Sequence, residues 1–336
     1  MVQKKAKPVN GEDSSPNSTE KLSTADRTAR LRLRAAWMYF VEEKTQNEIA
    51  QHLGLGRVTV VRLLSDARER QEVKFSIEGE LGECVEIERK LEQKFGIREA
   101  IVVPVSSAEG DACLPISAAT GEYLSKLVSP EMKIGVGWGR TLWESLAYIN
   151  AESVPKVSVV SMLGGITKTK QFNPSEFAWR FSNLFKAECF LMTAPAIVDS
   201  RQTKQALIEH CGLNEVFNKA TDLDAVLLSI GDMDKESTPY RYSFVPEEVR
   251  ESMVEAGAVG EFLFNYFDVQ GRPIVHPIQD RVMSVSQDVV AKCPERILVS
   301  GGVRKALALL GGLRAIKPTV FVTDELCAKK ILDLAG

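Results

Sequence analysis

From about residue 98 onward, short and almost wholly apolar runs alternate with amphipathic stretches. The runs are AIVVPV (100–105), KIGVGW (133–138), KVSVVSML (156–163), AVLLSIG (225–231), RILVSGG (296–302) and TVFVTDE (319–325). Brief apolar runs bounded by Gly, Pro or Asp read as strands buried on both faces. Helical periodicity fills most of the gaps, around 116–128, 141–150, 173–186, 203–210, 247–255, 303–311 and 324–334. An amphipathic helix, GECVEIERKLEQKFG, precedes the first run, after the segment EVKFSIEGE. Strands separated by helices predict an α/β fold, a doubly wound and mostly parallel sheet covered on both faces.

Upstream the period is helical throughout. In TQNEIAQHLGLGRVTVVRLL, starting at Thr45, Ile49 and Leu53 form one apolar face, with Ala50 between them and Gly54 after them. Val60, Leu63, Leu64 and Ala67 form the face of a second helix. A small residue where two helices cross and a Gly that reverses the chain tightly make a helix-turn-helix. LRLRAAWMYFVEE supplies a preceding helix, with Leu33, Ala36, Trp37 and Phe40 expected to pack on both. The same phase turns Arg57, Val58, Val61 and Arg62 outward, with Thr59 on the flank. Arg57 and Arg62 suit bidentate contacts to guanine, the valines suit thymine methyls, and Thr45 or Gln46 suits phosphate. Gly56 stands where Ser or Thr usually caps a helix, at small cost.

Charge sharpens this division. Between Arg27 and Gln71 nine basic residues face five acidic ones, a net of +4, although the whole chain carries −3. A basic segment joined to an acidic body points to a polyanionic partner for the first part only. The expected layout is a disordered tail at 1–26, an all-α helix-turn-helix domain at 27–76, and a larger domain at 77–336. The tail has Lys, Pro, Ser and Asn but no apolar core of a secretory signal. No apolar run is long enough to span a bilayer. Six scattered cysteines without a CxxC fit reduced thiols in a cytoplasmic protein, and neither metal nor cofactor is expected.

Ligands of open parallel sheets bind beyond the carboxyl ends of the strands. Those ends carry Gly137, Gly139, Arg140 and Thr141; Gly164 and Gly165; Gly231 and Asp232; Gly301, Gly302 and Lys305; and Thr323 and Asp324. One convergent polar site is expected there. In KIGVGWGRTLWESL, a strand ending in glycines and turning into a helix aims N–H groups at an anion.

Taken in order, the helix-turn-helix, IGVGWGRTL, SMLGG, Asn173 opening a helix, TAPA and LLSIGD resemble the SorC family of sugar-responsive bacterial transcription regulators. GAVGEF, a YFDVQGRPI hairpin, SGGVRKALAL and VFVTDELCAKKIL continue the resemblance from about residue 28 to the C-terminus. It implies a sugar-phosphate isomerase/deaminase-like effector domain, operator DNA as partner, and homo-oligomers, dimers or tetramers. It also implies control by a small sugar, polyol or sugar phosphate. Carried onto this chain, it places phosphate near Gly139, Arg140 and Thr141, beside Gly137. Gly165 and Asn173 would line the pocket, Glu261 and Asp268 would bind hydroxyls, and Lys305 would meet phosphate or sugar oxygen. Arg140-Thr141 stands where some relatives have two hydroxyl residues, and Leu163 where some have Arg, leaving monophosphate and unphosphorylated polyol both open.

Two enzyme readings compete. Gly135, Gly137 and Gly139 are spaced GxGxG rather than GxGxxG, and no acid ends the following strand, which argues against a dinucleotide site. A sugar-phosphate isomerase or deaminase could use Asp232, Asp234 and Glu261 as acid–base carboxylates, but such an enzyme does not need a DNA-binding head. His276, in a VHP turn, reads as structural.

Overall fold

A computed structural model describes residues 24–70, 72–73, 82–107, 110–150, 153–166, 172–241 and 243–336. The chain divides into two compact units, one ending at Phe75 and the other starting at Ser76. The expected tail lies outside the described residues except for Thr24–Asp26, which begin the first helix, and most of EVKFSIEGE also lies outside them.

The smaller unit holds three helices, α1 (Thr24–Phe40), α2 (Gln46–Leu53) and α3 (Arg57–Glu69). Thr45 caps α2 through a reciprocal box, its N–H donating to Glu48 Oε2 at 2.7 Å while Glu48 N–H returns to Thr45 Oγ1 at 3.4 Å. Such a box satisfies two N–H groups that the first turn leaves unpaired. Gly54 ends α2 in the left-handed region at φ 65°, which a Cβ would disfavour. Ile49, Ala50, Val60, Leu63, Leu64 and Ala67 are buried as the spacing requires. On α1 the face differs from expectation, because Leu33 and Trp37 are 50% and 59% exposed while Ala35 and Met38 are buried. The rotation follows from Arg32, buried on the inner face and paired in a fork with Glu72, its Nε 2.6 Å from Oε2.

In the larger unit the strands are β1 (Glu99–Val103), β2 (Lys133–Val136), β3 (Ser158–Ser161), β4 (Glu188–Phe190) and β5 (Ala225–Leu228). They continue with β6 (Gly231–Asp232), β7 (Gly260–Phe262), β8 (Asn265–Phe267), β9 (Glu295–Val299) and β10 (Val320–Asp324). Seven of them form one parallel sheet in the order β1-β10-β9-β5-β2-β3-β4. Successive residues feed opposite cores. Val226 and Leu228 join one apolar cluster and Ala225 and Leu227 the other, as Phe321 is separated from Val320 and Val322. With both faces covered, continuous apolar runs rather than alternating ones are the stable solution. The chain leaves β2 towards β3 and β4, then returns to β5 on the other side of β2. The winding therefore reverses between β2 and β5, where a crevice opens beyond the carboxyl ends. A second, antiparallel sheet, β6-β7-β8, lies just past β5.

Candidate functional site

A cavity of about 880 Å³ opens at that reversal. Trp138, Gly139, Arg140 and Thr141 reach it from the end of β2, and Ser229, Ile230 and Gly231 from the end of β5. Gly301, Gly302, Arg304 and Lys305 follow β9, while Glu261 comes from β7. The segment from Glu236 to Arg241 forms a further wall.

Gly139 has φ +138° and ψ 164°, a conformation open to glycine and strained for side-chain-bearing residues. The helix it starts, Arg140–Ser145, is only six residues long, so its dipole is weak and the cationic side chains supply most of the positive field. Arg140 pairs with Asp111 at the rim. Thr141 is fixed from below, its carbonyl accepting from Ser117 Oγ at 2.9 Å. Lys305 Nζ donates to Ile230 O at 3.2 Å. Trp138 is wedged between Phe244 and Phe264, with ring centroids 6.2 and 5.9 Å away.

Glu261 is 3% exposed yet lines the cavity. Its Oε2 accepts from Phe264 N–H at 2.8 Å, across a turn in which Leu263 and Phe264 both have positive φ, 52° and 58°. Bulky residues held left-handed cost of order 1–2 kcal/mol each. Here burial of both side chains offsets that cost and sets the carboxylate in place. Burial raises the Glu261 carboxyl to about 7 against the pull of Phe264 N–H and Lys305. Burial also raises Asp232, whose Oδ1 accepts from Ser237 Oγ and from Asp234 N–H.

Of the residues expected at the ligand site, Gly139, Arg140, Thr141, Glu261 and Lys305 come together around this cavity. Gly137 sits one step below, its N–H donating to Leu227 O at 2.8 Å. Gly165 and Asn173 are neighbours of each other but outside the lining. Gly165 N–H bonds Ala194 O, and Asn173 caps the helix Pro174–Phe185 through Ser175 N–H while donating to Ile166 O. Asp268 is also outside it. Its carboxylate closes a turn, accepting from the N–H groups of Gln270 and Arg272 and from Arg272 Nε at 2.8 Å. Sequence reasoning missed Asp111, Arg241 and Arg304. Arg304 was visible beside Lys305 in SGGVRK, whereas the other two lie in segments with no strand-end signal.

On the small unit, Arg57, Val58, Val61 and Arg62 are exposed on α3, Val58 at 84%. Thr59 and Gln46 are half-buried, and Arg57 Nε lies 3.5 Å from Gln46 Oε1. Thr45 spends its hydroxyl on Glu48, donating to Oε2 at 2.7 Å.

Residues 79–333 match the family described as "Putative sugar-binding domain". The chain belongs to this family, that of the SorC-type transcriptional regulators. Among its relatives, the erythritol catabolism regulatory protein EryD of Brucella abortus is 26% identical over 310 residues, covering 92% of this chain and 98% of EryD. The deoxyribonucleoside regulator of Bacillus subtilis is 26% identical over 306 residues, 90% and 97% of the two chains. The full-length sorbitol operon regulator SorC of Klebsiella pneumoniae superposes with a TM-score of 0.68 at 23% identity, covering 90% of this chain and 98% of SorC, a likeness of fold. No helix among the described residues of this SorC-family chain is long and apolar enough to cross a membrane.

Proposed function

We propose that the small unit reads operator DNA and that the large one senses a small sugar, polyol or sugar phosphate, making the chain a cytoplasmic regulator of a carbohydrate or polyol catabolic operon. The cavity at the strand reversal carries this reading, because its rim holds Arg140, Arg304 and Lys305 while its floor presents the carboxylate of Glu261. Cations and glycine N–H groups suit phosphate, and a carboxylate suits ligand hydroxyls. The SorC-family membership and the names of the relatives support the same division of labour.

On the DNA side, Arg57 and Arg62 contact base edges, Val58 and Val61 contact thymine methyls, and Thr59, Thr45 and Gln46 lie along the backbone. Homo-oligomerisation, as a dimer or tetramer, would present paired heads to a two-fold operator, and the effector would act by changing how the subunits pack. The ligand is a signal and is not consumed.

Calorimetric titration of the purified chain with erythritol 4-phosphate, sorbitol 6-phosphate and 2-deoxyribose 5-phosphate tests the ligand class. Binding by at least one compound, lost in Arg140→Ala and Lys305→Ala and without turnover, is the expected result. Consumption of a compound would instead favour an isomerase or deaminase using Glu261 and Asp232.

A further inference from the structure

The floor of the cavity contains a carboxyl, Glu261, that is 3% exposed. Glu261 on β7 stands opposite Gly231 in the β6–β7 register, with Asp232 one residue on, opposite Gly260, and its carboxyl feels Lys305 from the turn after β9 and Tyr240 from the short helix Thr238–Arg241. Tyr266 on β8 closes it from behind, Arg304 and Asp234 act on Asp232, and Arg250 lies over the Tyr240 ring. Both tyrosine hydroxyls are held far above their ordinary range by burial and stay neutral. Arg250 is committed to Glu247 and to Met233 O. Lys305 is the cation that acts on Glu261, shares Asp232 with Arg304, and has its Nζ engaged with Ile230 O.

The hydrogen bonds point the same way. Asp232 Oδ2 is fully buried without a partner, although Asp232 itself is only 6% exposed. Glu261 uses Oε2 for Phe264 N–H, and its Oε1 lies so close to Gly231 that a Cβ there would stand 2.2 Å from it. A carboxyl buried in a cavity lining with one backbone N–H on it, beside an ammonium already engaged with a carbonyl, is an arrangement that retains a proton.

We propose that this floor is a proton-linked effector site: the empty protein holds a proton on Glu261, and an effector hydroxyl donating to Glu261 expels it. The proposal rests on the sugar-sensing reading above and adds that occupancy responds to pH. A hydroxyl donor stabilises the ionised carboxylate, so binding lowers the proton affinity of Glu261 and releases a proton. Affinity then rises with pH until the empty site is itself ionised, near or just above 7. The same regulator would answer a given effector concentration more strongly in an alkaline cell than in an acidified one.

The empty protein supplies a test that needs no ligand. A carboxyl raised in the folded state stabilises the fold below the unfolded value and loses that contribution as pH rises through the folded one. Relative to Glu261→Gln, the wild-type unfolding constant from chemical denaturation should climb about tenfold per pH unit from pH 5 to about 6.5, then level off by pH 8. Asp232→Asn should move that window to lower pH, and it serves as the second variant should Glu261→Gln fail to fold. Parallel profiles for all three proteins would mean that Glu261 is ionised in the empty cavity and would overturn the proposal. Titrating the three sugar phosphates at pH 7 in PIPES and in Tris counts protons on binding. Release of about half a proton by wild type and none by Glu261→Gln is expected, and net uptake would overturn the proposal. Failure of every compound to bind beside a sloped stability profile would overturn the effector reading, and the release step with it.

Discussion

Glu261 and Gly231 show how far single residues govern the site. Gly231 has no side chain because the space is already taken by Glu261 Oε1, and the carboxylate cannot swing away while Phe264 N–H holds it. Gly231→Ala should therefore displace the carboxylate and weaken effector binding at least about tenfold, roughly the loss of one hydrogen bond to a charged group, with operator affinity unchanged. Calorimetry and DNA anisotropy on the same preparation check both halves. The converse substitution lies on α3. Arg62→Ala should cost about 1–3 kcal/mol of specific DNA binding if it reads a base and leave effector binding intact. An equal loss on both sides would dissolve the proposed division of labour. Residue identities foretold much of this. Gly139, Arg140, Thr141 and Lys305 were legible as strand-end chemistry, and Glu261 by resemblance. The burial that raises Glu261 was not, because it depends on a Leu263–Phe264 turn whose backbone no propensity favours.

At the scale of elements, periodicity located six of the seven strands of the parallel sheet, because each is a continuous apolar run, buried on both faces in all but the edge strand β1. It missed β4, β6, β7 and β8, each of two or three residues, since runs that short carry no period. The face of α1 was misjudged for a related reason. Buried Arg32 reads as a surface residue until its partner Glu72, forty positions away, is placed beside it. Helix ends offer a stability test independent of function. Lys186, exposed beyond the helix Pro174–Phe185, adopts φ 52°, a conformation that glycine takes without the Cβ penalty. Lys186→Gly should raise stability by up to about 1 kcal/mol, read as a shift of the denaturation midpoint at constant slope. In the sheet, Leu227 is fully buried in the central strand β5, and Leu227→Ala should cost about 2–5 kcal/mol in the same experiment.

For the molecule as a whole, a basic helical unit is joined to an acidic α/β unit whose cavity opens at the point where the sheet reverses direction. Regulation requires that the two communicate. An effector with no difference in affinity between DNA-bound and free forms would shift nothing, however tightly it bound. The decisive measurement is fluorescence anisotropy of a labelled duplex from upstream of the chain's own gene, at two salt concentrations, with and without the compound found by calorimetry. Specific binding that weakens steeply with salt, and whose affinity changes at least fivefold when the intact compound is added, is the expected result. Identical operator affinity with and without a compound that saturates the cavity would show that the two units are uncoupled and that the chain is not an effector-controlled regulator.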